Sequence, residues 1–201
     1  LKAKEIETYQ KMLGYILFIN PFDNKKINRL QDIKYKQSDL WKYGISGDLP
    51  ILLVKISQSN DREVLEEILK AYEFFRLKNV FVDLVILNEE PNSYEKYTKE
   101  IIINSILNSN LGHLQNVSGG IFILENEESK ILEFYAKFII ETKNGPLARQ
   151  LKDLEEEKLE NTKQIGEKVA NNIIVYEEDK IIKPTLQKEM LEYENEYGGF
   201  A

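Results

Sequence analysis

Three times along the chain, a short and nearly continuous apolar run precedes a segment whose apolar residues recur every three or four positions. The runs are 49–56 (LPILLVKI), 80–88 (VFVDLVILN) and 120–124 (GIFIL). Runs this short, apolar at successive positions, predict strands buried on both faces. The first periodic segment reaches about Leu77, with Val64, Leu65, Ile68, Leu69, Tyr72 and Phe75 in its stripe. Asn60-Asp61-Arg62-Glu63 reads as a capping box, Asn60 accepting from the amide of Glu63. Asn79 suits a left-handed stop. The second helix starts at Pro91-Asn92-Ser93 and carries Tyr94, Tyr97, Ile101 and Leu107. The third opens at Glu127-Glu128-Ser129, where acids suit the positive end of a helix dipole. It bears Ile131, Leu132, Tyr135, Phe138 and Ile139, and Asn144-Gly145-Pro146 closes it. Doubly apolar strands alternating with amphipathic helices mean a parallel sheet with right-handed crossovers. The fold class is therefore α/β: a three-layer sandwich with a short parallel sheet of about three strands, the first of them central.

The flanks are less regular. Residues 5–18 predict a helix with Ile6, Tyr9, Leu13, Ile16 and Leu17 on one face, stopped by Asn20-Pro21. Residues 22–40 are polar and Lys-rich, with Ile27 and Leu30 marking a short second helix. From Leu147 to about Leu159 a charged helix carries a thin seam of Leu147, Leu151 and Leu154. It reads equally as a solvated helix leaning on the domain or as a spacer. Beyond it, Ile173 to Tyr176 and Ile181-Ile182 are short strand candidates around a hairpin loop at 177–180, with Pro184 arguing against a central strand. These shifts divide the chain into a helical lead-in (1–40), an α/β core (41–146), a charged helix (147–162) and a linker (163–201).

Composition narrows the chemistry. Lys and Arg total 27 against 34 Asp and Glu, a net charge of −7. A generic phosphate-backbone binder wants a basic surface, so nucleic acid is not an expected partner. With no cysteine and one histidine, disulfides, thiolate metal sites and multi-His sites are excluded. The longest apolar runs are about eight residues, far short of the roughly 20 of a membrane span, so no direct membrane insertion by this segment is expected. No signal-peptide pattern is evident along these residues, and a cytoplasmic setting is expected. The chain starts at Leu1 and ends Tyr197-Gly198-Gly199-Phe200-Ala201. That reads as a piece of a longer protein.

Few residues carry a chemical signature. Gly44-Ile45-Ser46-Gly47-Asp48 has the glycines of a phosphate cradle but precedes a strand instead of opening a helix, so it reads as a turn. Asp48 would cap that turn, with Trp41 and Tyr43 against the sheet edge. Ligands of open parallel sheets bind beyond the strands' carboxyl ends. Those ends carry Ser57, Gln58 and Ser59, then Asn88, Glu89 and Glu90, then Glu125 and Asn126, acidic loops with no evident cation for phosphate. Glu89 and Glu125 could supply oxygen ligands to magnesium, though solvated loop acids are the commoner case. Asp83 interrupts an apolar strand; a general base is one reading, and an edge carboxylate paired with a lysine or a backbone amide is the simpler. His113 falls in a polar stretch and reads as a surface side chain. Weak ligand-binding candidates are Trp41, Tyr43, Asp48, Asn88 and Glu89; no catalytic residue, metal ligand or cofactor is assigned.

Four blocks carry a family resemblance. The segment 40–51 (LWKYGISGDLPI) resembles a signature of cyclic β-1,2-glucan synthases, as do 71–78 (AYEFFRLK), 82–89 (VDLVILNE) and Gly119-Gly120-Ile121-Phe122. Tyr9-Gln10 through Asn20-Pro21 looks like the helix entering this region. Residues 195–200 (NEYGGF) look like the start of a following β-sandwich, with Glu196 where the family usually has glycine. The resemblance implies a place in the phosphorylase-like C-terminal half, related to cellobiose phosphorylase, as an α/β insert between β-sandwich regions. It implies a parent glucosyltransferase or glycoside phosphorylase, with membrane association of that parent left open and both catalytic centres outside these residues. The expected role is a non-catalytic module that spaces and docks the flanking domains of its own polypeptide, with β-1,2-glucan as a further candidate partner. The alternatives are an independent small-molecule or nucleotide-binding α/β domain, or a partner-docking module.

Overall fold

The computed structural model describes residues 2–18, 35–58, 61–90, 97–125, 129–156, 193–195 and 198–200. Two compact units result, Leu1–Asn161 and Thr162–Ala201. In the first, α1 (Ala3–Leu17) and a 3-10 helix (Gln37–Tyr43) lead to β1 (Ile51–Ile56), α2 (Arg62–Leu77), β2 (Asp83–Asn88), α3 (Tyr97–Leu107), β3 (Ile121–Glu125), α4 (Ser129–Tyr135) and β4 (Ala136–Glu141). A last helix, α5, covers 147–156. The second unit holds a small antiparallel hairpin, β5 (Tyr193–Asn195) with β6 (Gly198–Phe200).

The four strands of the first unit are parallel, in the order β3-β2-β1-β4. Side-chain alternation sends Leu52, Val54, Leu84, Ile86, Phe138 and Ile140 to one face. There they meet Tyr9, Met12 and Ile16 of α1, the stripe of α2, Ile102 and Ile106 of α3, and Leu147 and Leu151 of α5. Ile51, Leu53, Val85, Leu87 and Phe122 turn to the other face, against Leu40 and Ile45 around the 3-10 helix and Ile131 and Leu132 of α4. The helices after β1 and β2 thus cover one face and the helix after β3 the other. This is the arrangement that right-handed crossovers impose when the chain steps outward twice and then returns past β1. The expected parallel α/β sandwich is present, and β1 is interior to its sheet.

Several expectations change in detail. The third helix does not run from 127 to 143: α4 ends at Tyr135, and Ala136–Glu141 form a fourth strand where about three strands were expected. Phe138 and Ile139 fit a helical stripe and a strand equally well. What decides between them is the free edge of β1, which pairs with Ala136 through Glu141, with a register shift that skips Lys137. Asn144-Gly145-Pro146 therefore ends a strand and its 3-10 turn, with Gly145 at φ 88. The strands also start later than their apolar runs, at Ile51 and Asp83. In α3 the buried side is Thr98, Ile102, Ser105 and Ile106, whereas Tyr97 and Leu107 are exposed. Two small hydroxyl residues on the packed face hid it from an apolar count.

Other local readings stand. Asn79 adopts φ 57 behind α2, where a left-handed stop is needed. The cap of α2 differs from the expected one: its N-cap is Asp61, one residue past Asn60, and it makes no side-chain cap bond. The α5 seam leans on the core, with Leu147 and Leu151 buried and Leu154 partly so. Ile27, Leu30, Asn60, the starts of α3 and α4 at 91–96 and 126–128, and the strand candidates at 173–182 lie outside the described residues.

The strand assignment of 136–141 makes Phe138 a core residue, 2% exposed and stacked on Tyr15 of α1. Phe138→Ala is expected to cost about 3–5 kcal/mol of stability in urea unfolding. A loss under about 1 kcal/mol would contradict the packing of β4.

Candidate functional site

The winding of the sheet reverses between β1 and β4, and open α/β folds place ligands beyond the strand ends at that point. Lys55 lies beside it, one residue before the carboxyl end of β1. Alternation turns Lys55 to the α4 side of the sheet, where its ammonium is hydrogen-bonded to Glu133 and lies 3.4 Å from Glu89. Burial pulls its pKa down, but the hydrogen bond and charge of Glu133, with those of Glu89, outweigh this and leave it above the ordinary lysine value. The β4 end closes against the same strand: Thr142 Oγ1 lies 3.1 Å from the Lys55 carbonyl and 2.6 Å from Asp61 Oδ2. Further along the edge, Lys99 pairs with Glu125 at 2.7 Å and Lys143 with Glu141 at 2.8 Å. Glu90 accepts from the Thr98 amide at 3.2 Å.

Sequence reasoning found the loop acids Glu89, Glu90 and Glu125 of this edge and missed Glu133, Glu141 and the lysines. Lys55 lies inside an apolar run, and Lys99 lies 26 positions from its partner Glu125; Lys143 pairs locally with Glu141, but only the fourth strand brings both to this edge. Glu89 and Glu125, the conceivable magnesium ligands, are each engaged by a lysine. Among the described residues, no group of three or more His, Cys, Asp or Glu is placed to hold a metal ion.

The opposite, amino-terminal edge is organised around one glycine. Gly119 stands at φ 66, a conformation that favours glycine. Its amide donates to Asp83 Oδ1 at 2.7 Å. Its carbonyl accepts from the Tyr72 hydroxyl and, at 3.1 Å, from Arg76 Nη1. A Cβ here would meet Leu49 Cδ1 at 3.3 Å and Phe81 Cβ at 3.4 Å. Gly120 is tighter still: a Cβ would sit 2.7 Å from the Val117 carbonyl and collide with that of Leu114. Arg76 also lies over the Phe81 ring, 4.6 Å from its centroid. Asp83 is not on an edge strand, as the simple reading supposed. It opens interior strand β2, and its partner is the backbone amide that reading allowed. Burial raises its pKa, the Gly119 amide opposes, and nearby Asp48 adds to the rise. Tyr72 is pushed up to about 12, first by burial, with Arg76 opposing and Asp83 assisting.

The five candidate ligand residues fall at two ends of the sheet. Trp41 is 65% exposed on the 3-10 helix instead of packing on the sheet edge. Tyr43 packs against the second core, with Lys42 Nζ 4.9 Å from its ring centroid. Asp48 accepts from Gln37 Nε2 at 3.1 Å, and its amide donates to Ser46 Oγ at 3.2 Å, within a turn that places Gly44 at φ 74 and Gly47 at φ 79. Asn88 and Glu89 lie at the far, carboxyl end of β2. Asn88 Oδ1 accepts from the Glu90 amide at 3.0 Å, and the Glu89 amide donates to the Ile56 carbonyl at 2.8 Å. The structure brings Asp48 near Asp83 and Glu89 near Lys55, and does not bring the two groups together. His113 is exposed in the 3-10 turn Gly112–Leu114.

All four blocks of the resemblance meet at Gly119: Leu49 from the first, Tyr72 and Arg76 from the second, Asp83 from the third and the glycine itself from the fourth. Comparison with characterised proteins points the same way. This chain is similar to a cyclic β-1,2-glucan synthase. It is 25% identical over 212 aligned residues to cyclic beta-(1,2)-glucan synthase NdvB of Rhizobium meliloti (strain 1021). The match covers 100% of the chain and 7% of that protein. The likeness supports a distant relation to that family. No family model and no solved structure matches. Among the described residues no helix is long and apolar enough to cross a membrane.

Two substitutions probe the two edges. Lys55→Met would leave Glu89 and Glu133 facing each other in a partly buried site, and is expected to cost about 1–3 kcal/mol. Adding Glu89→Gln and Glu133→Gln should restore most of that loss in denaturant unfolding. Because the folded pKa of Lys55 is raised, its contribution is whole below the ordinary lysine value and fades only as alkaline pH climbs through the raised one. Tyr72→Phe removes one of the two side-chain donors to the Gly119 carbonyl and is expected to cost about 1 kcal/mol. A neutral Tyr72→Phe would show that the bond to Gly119 does not hold the turn.

Proposed function

We propose that this segment is a non-catalytic α/β module of a large enzyme that makes cyclic β-1,2-glucan, and that it spaces and docks neighbouring domains of the same polypeptide. The observation that carries this is the meeting of the four family-like blocks at Gly119. The residues most like the synthases hold one another, at the end of the sheet where open α/β folds do not bind ligands. The same end offers a surface for neighbours: Leu77 is 73% exposed, Phe81 48% and Val117 44%. Phe81 and Val117 flank the Gly119-Gly120 turn, and exposed apolar groups gathered this way mark contact sites. At the carboxyl edge, Lys55, Lys99 and Lys143 already have carboxylate partners within the chain. In this reading the segment belongs to a phosphorylase-like half, lies between β-sandwich regions, and contributes no group to glucosyl transfer or phosphorolysis.

The purified 201-residue chain should show no turnover of UDP-glucose, and none of β-1,2-glucan with phosphate. Calorimetry should show no nucleotide binding. Turnover of either substrate would overturn the reading, and nucleotide binding lost in Lys55→Met would move the function to the carboxyl edge. In the full-length enzyme, Phe81→Asp is expected to loosen the neighbouring domains, read as faster limited proteolysis at the module's boundaries, without unfolding the module.

A further inference from the structure

Asp83 is 1% exposed, yet only one of its carboxyl oxygens is bonded. Oδ1 accepts from Gly119, and Oδ2 is buried with no hydrogen-bond partner among the described residues. A carboxylate buried without a paired cation is costly, whereas the neutral acid keeps the Gly119 bond and carries no charge to desolvate. The charged and titratable groups that face it do not compensate. Asp48, on the turn leading into β1, repels it. From α2, the Tyr72 hydroxyl and Arg76 Nη1 donate to the Gly119 carbonyl and not to the Asp83 carboxyl. The turn over the carboxyl contributes amides but no charge, and its Asn116, Val117 and Ser118 are exposed. The Asp83 amide is itself tied to the Pro50 carbonyl at 3.0 Å, so the strand side of the site is fixed. The turn is pinned at its two ends, the Leu84 amide donating to the Gly120 carbonyl and the Asn116 amide to the Ile121 carbonyl, both at 2.9 Å, so the part that can yield is its exposed middle, Val117 and Ser118, with the Gly119 amide.

We propose that Asp83 is a proton-operated latch on the 115–120 turn. With the carboxyl neutral, the turn closes over it through the Gly119 amide. With the carboxyl ionised, the turn opens more often and lets water reach Oδ2. The sign follows from linkage: the closed state favours the proton, so its stability is greatest at pH below the ordinary Asp range. It declines as pH rises through the raised value of the closed state. Each unit by which that value exceeds the open-state value makes opening about tenfold more frequent at high pH. Val117 rides on this turn and Phe81 packs beside it. If the docking surface proposed above is used, its order follows the Asp83 proton; that extension rests on that reading, and the latch itself does not.

The test is carried out on the 201-residue chain by NMR. The Asp83 carboxyl carbon is titrated, and exchange of the Gly119 and Gly120 amides is measured across the same range after correction for intrinsic base catalysis. The expected result is a carboxyl midpoint above the ordinary Asp value and an opening frequency that rises with that same midpoint. Asp83→Asn should keep the Gly119 bond and make opening independent of pH. Asp48→Asn removes the repelling neighbour and should move both midpoints to lower pH, a second route should Asp83→Asn fail to fold. An ordinary Asp83 midpoint, or opening that keeps its pH dependence in Asp83→Asn, overturns the latch. Neither result touches the docking reading, which Phe81→Asp tests separately.

Discussion

A parallel sheet has no face that water can cover, because every strand is apolar on both sides. That constraint organises the first unit. Helices α1, α2, α3 and α5 close one face. The other face has less to close it: Leu40 and Ile45 around a 3-10 helix, and Ile131 and Leu132 from the two-turn α4. The shortness of α4 follows from the same demand. If the helix continued past Tyr135, Phe138 and Ile140 would leave the first core and the edge of β1 would stay unpaired. Ending it there lets the chain add β4, cover that edge and return to the first face through α5.

The two ends of the sheet then acquire different characters. Strand alternation carries a lysine to the carboxyl end on the α4 side, and the acids of loops and α4 gather on it. The result is an edge whose three lysines are each engaged by carboxylates of the same chain, with acids in excess. Among the described residues the amino end has no such network. It is held by hydrogen bonds to one glycine, and one buried carboxyl is left half-satisfied. Apolar side chains stand exposed around it.

Much of this was legible along the chain. The two long apolar runs and the α2 stripe between them mark β1, α2 and β2, because burial on both faces and on one face leave different periodicities. Asn79 announced its left-handed turn, since a short polar side chain tolerates that conformation. The site was less legible. Lys55 looks like an intrusion in an apolar strand, and nothing local ties it to Glu133, which is 78 positions away. Gly119-Gly120 reads as a strand lead-in; that four separated blocks converge on it is a property of the fold. The buried side of α3 escaped because Thr98 and Ser105 count as polar in any periodicity.

By itself the sequence determined that there is a parallel α/β core, where most of its helices lie, and which blocks resemble the glucan synthases. Those are consequences of local periodicity and of residue identity, which the chain carries in order. Tertiary structure alone decided that 136–141 is a strand and that the carboxyl-end acids are already paired. It also decided that Asp83 is buried against a turn 36 residues away in sequence. Each of these depends on which segments become neighbours across the sheet. A free strand edge, an opposite charge or a desolvating wall acts only once the crossovers have brought it near.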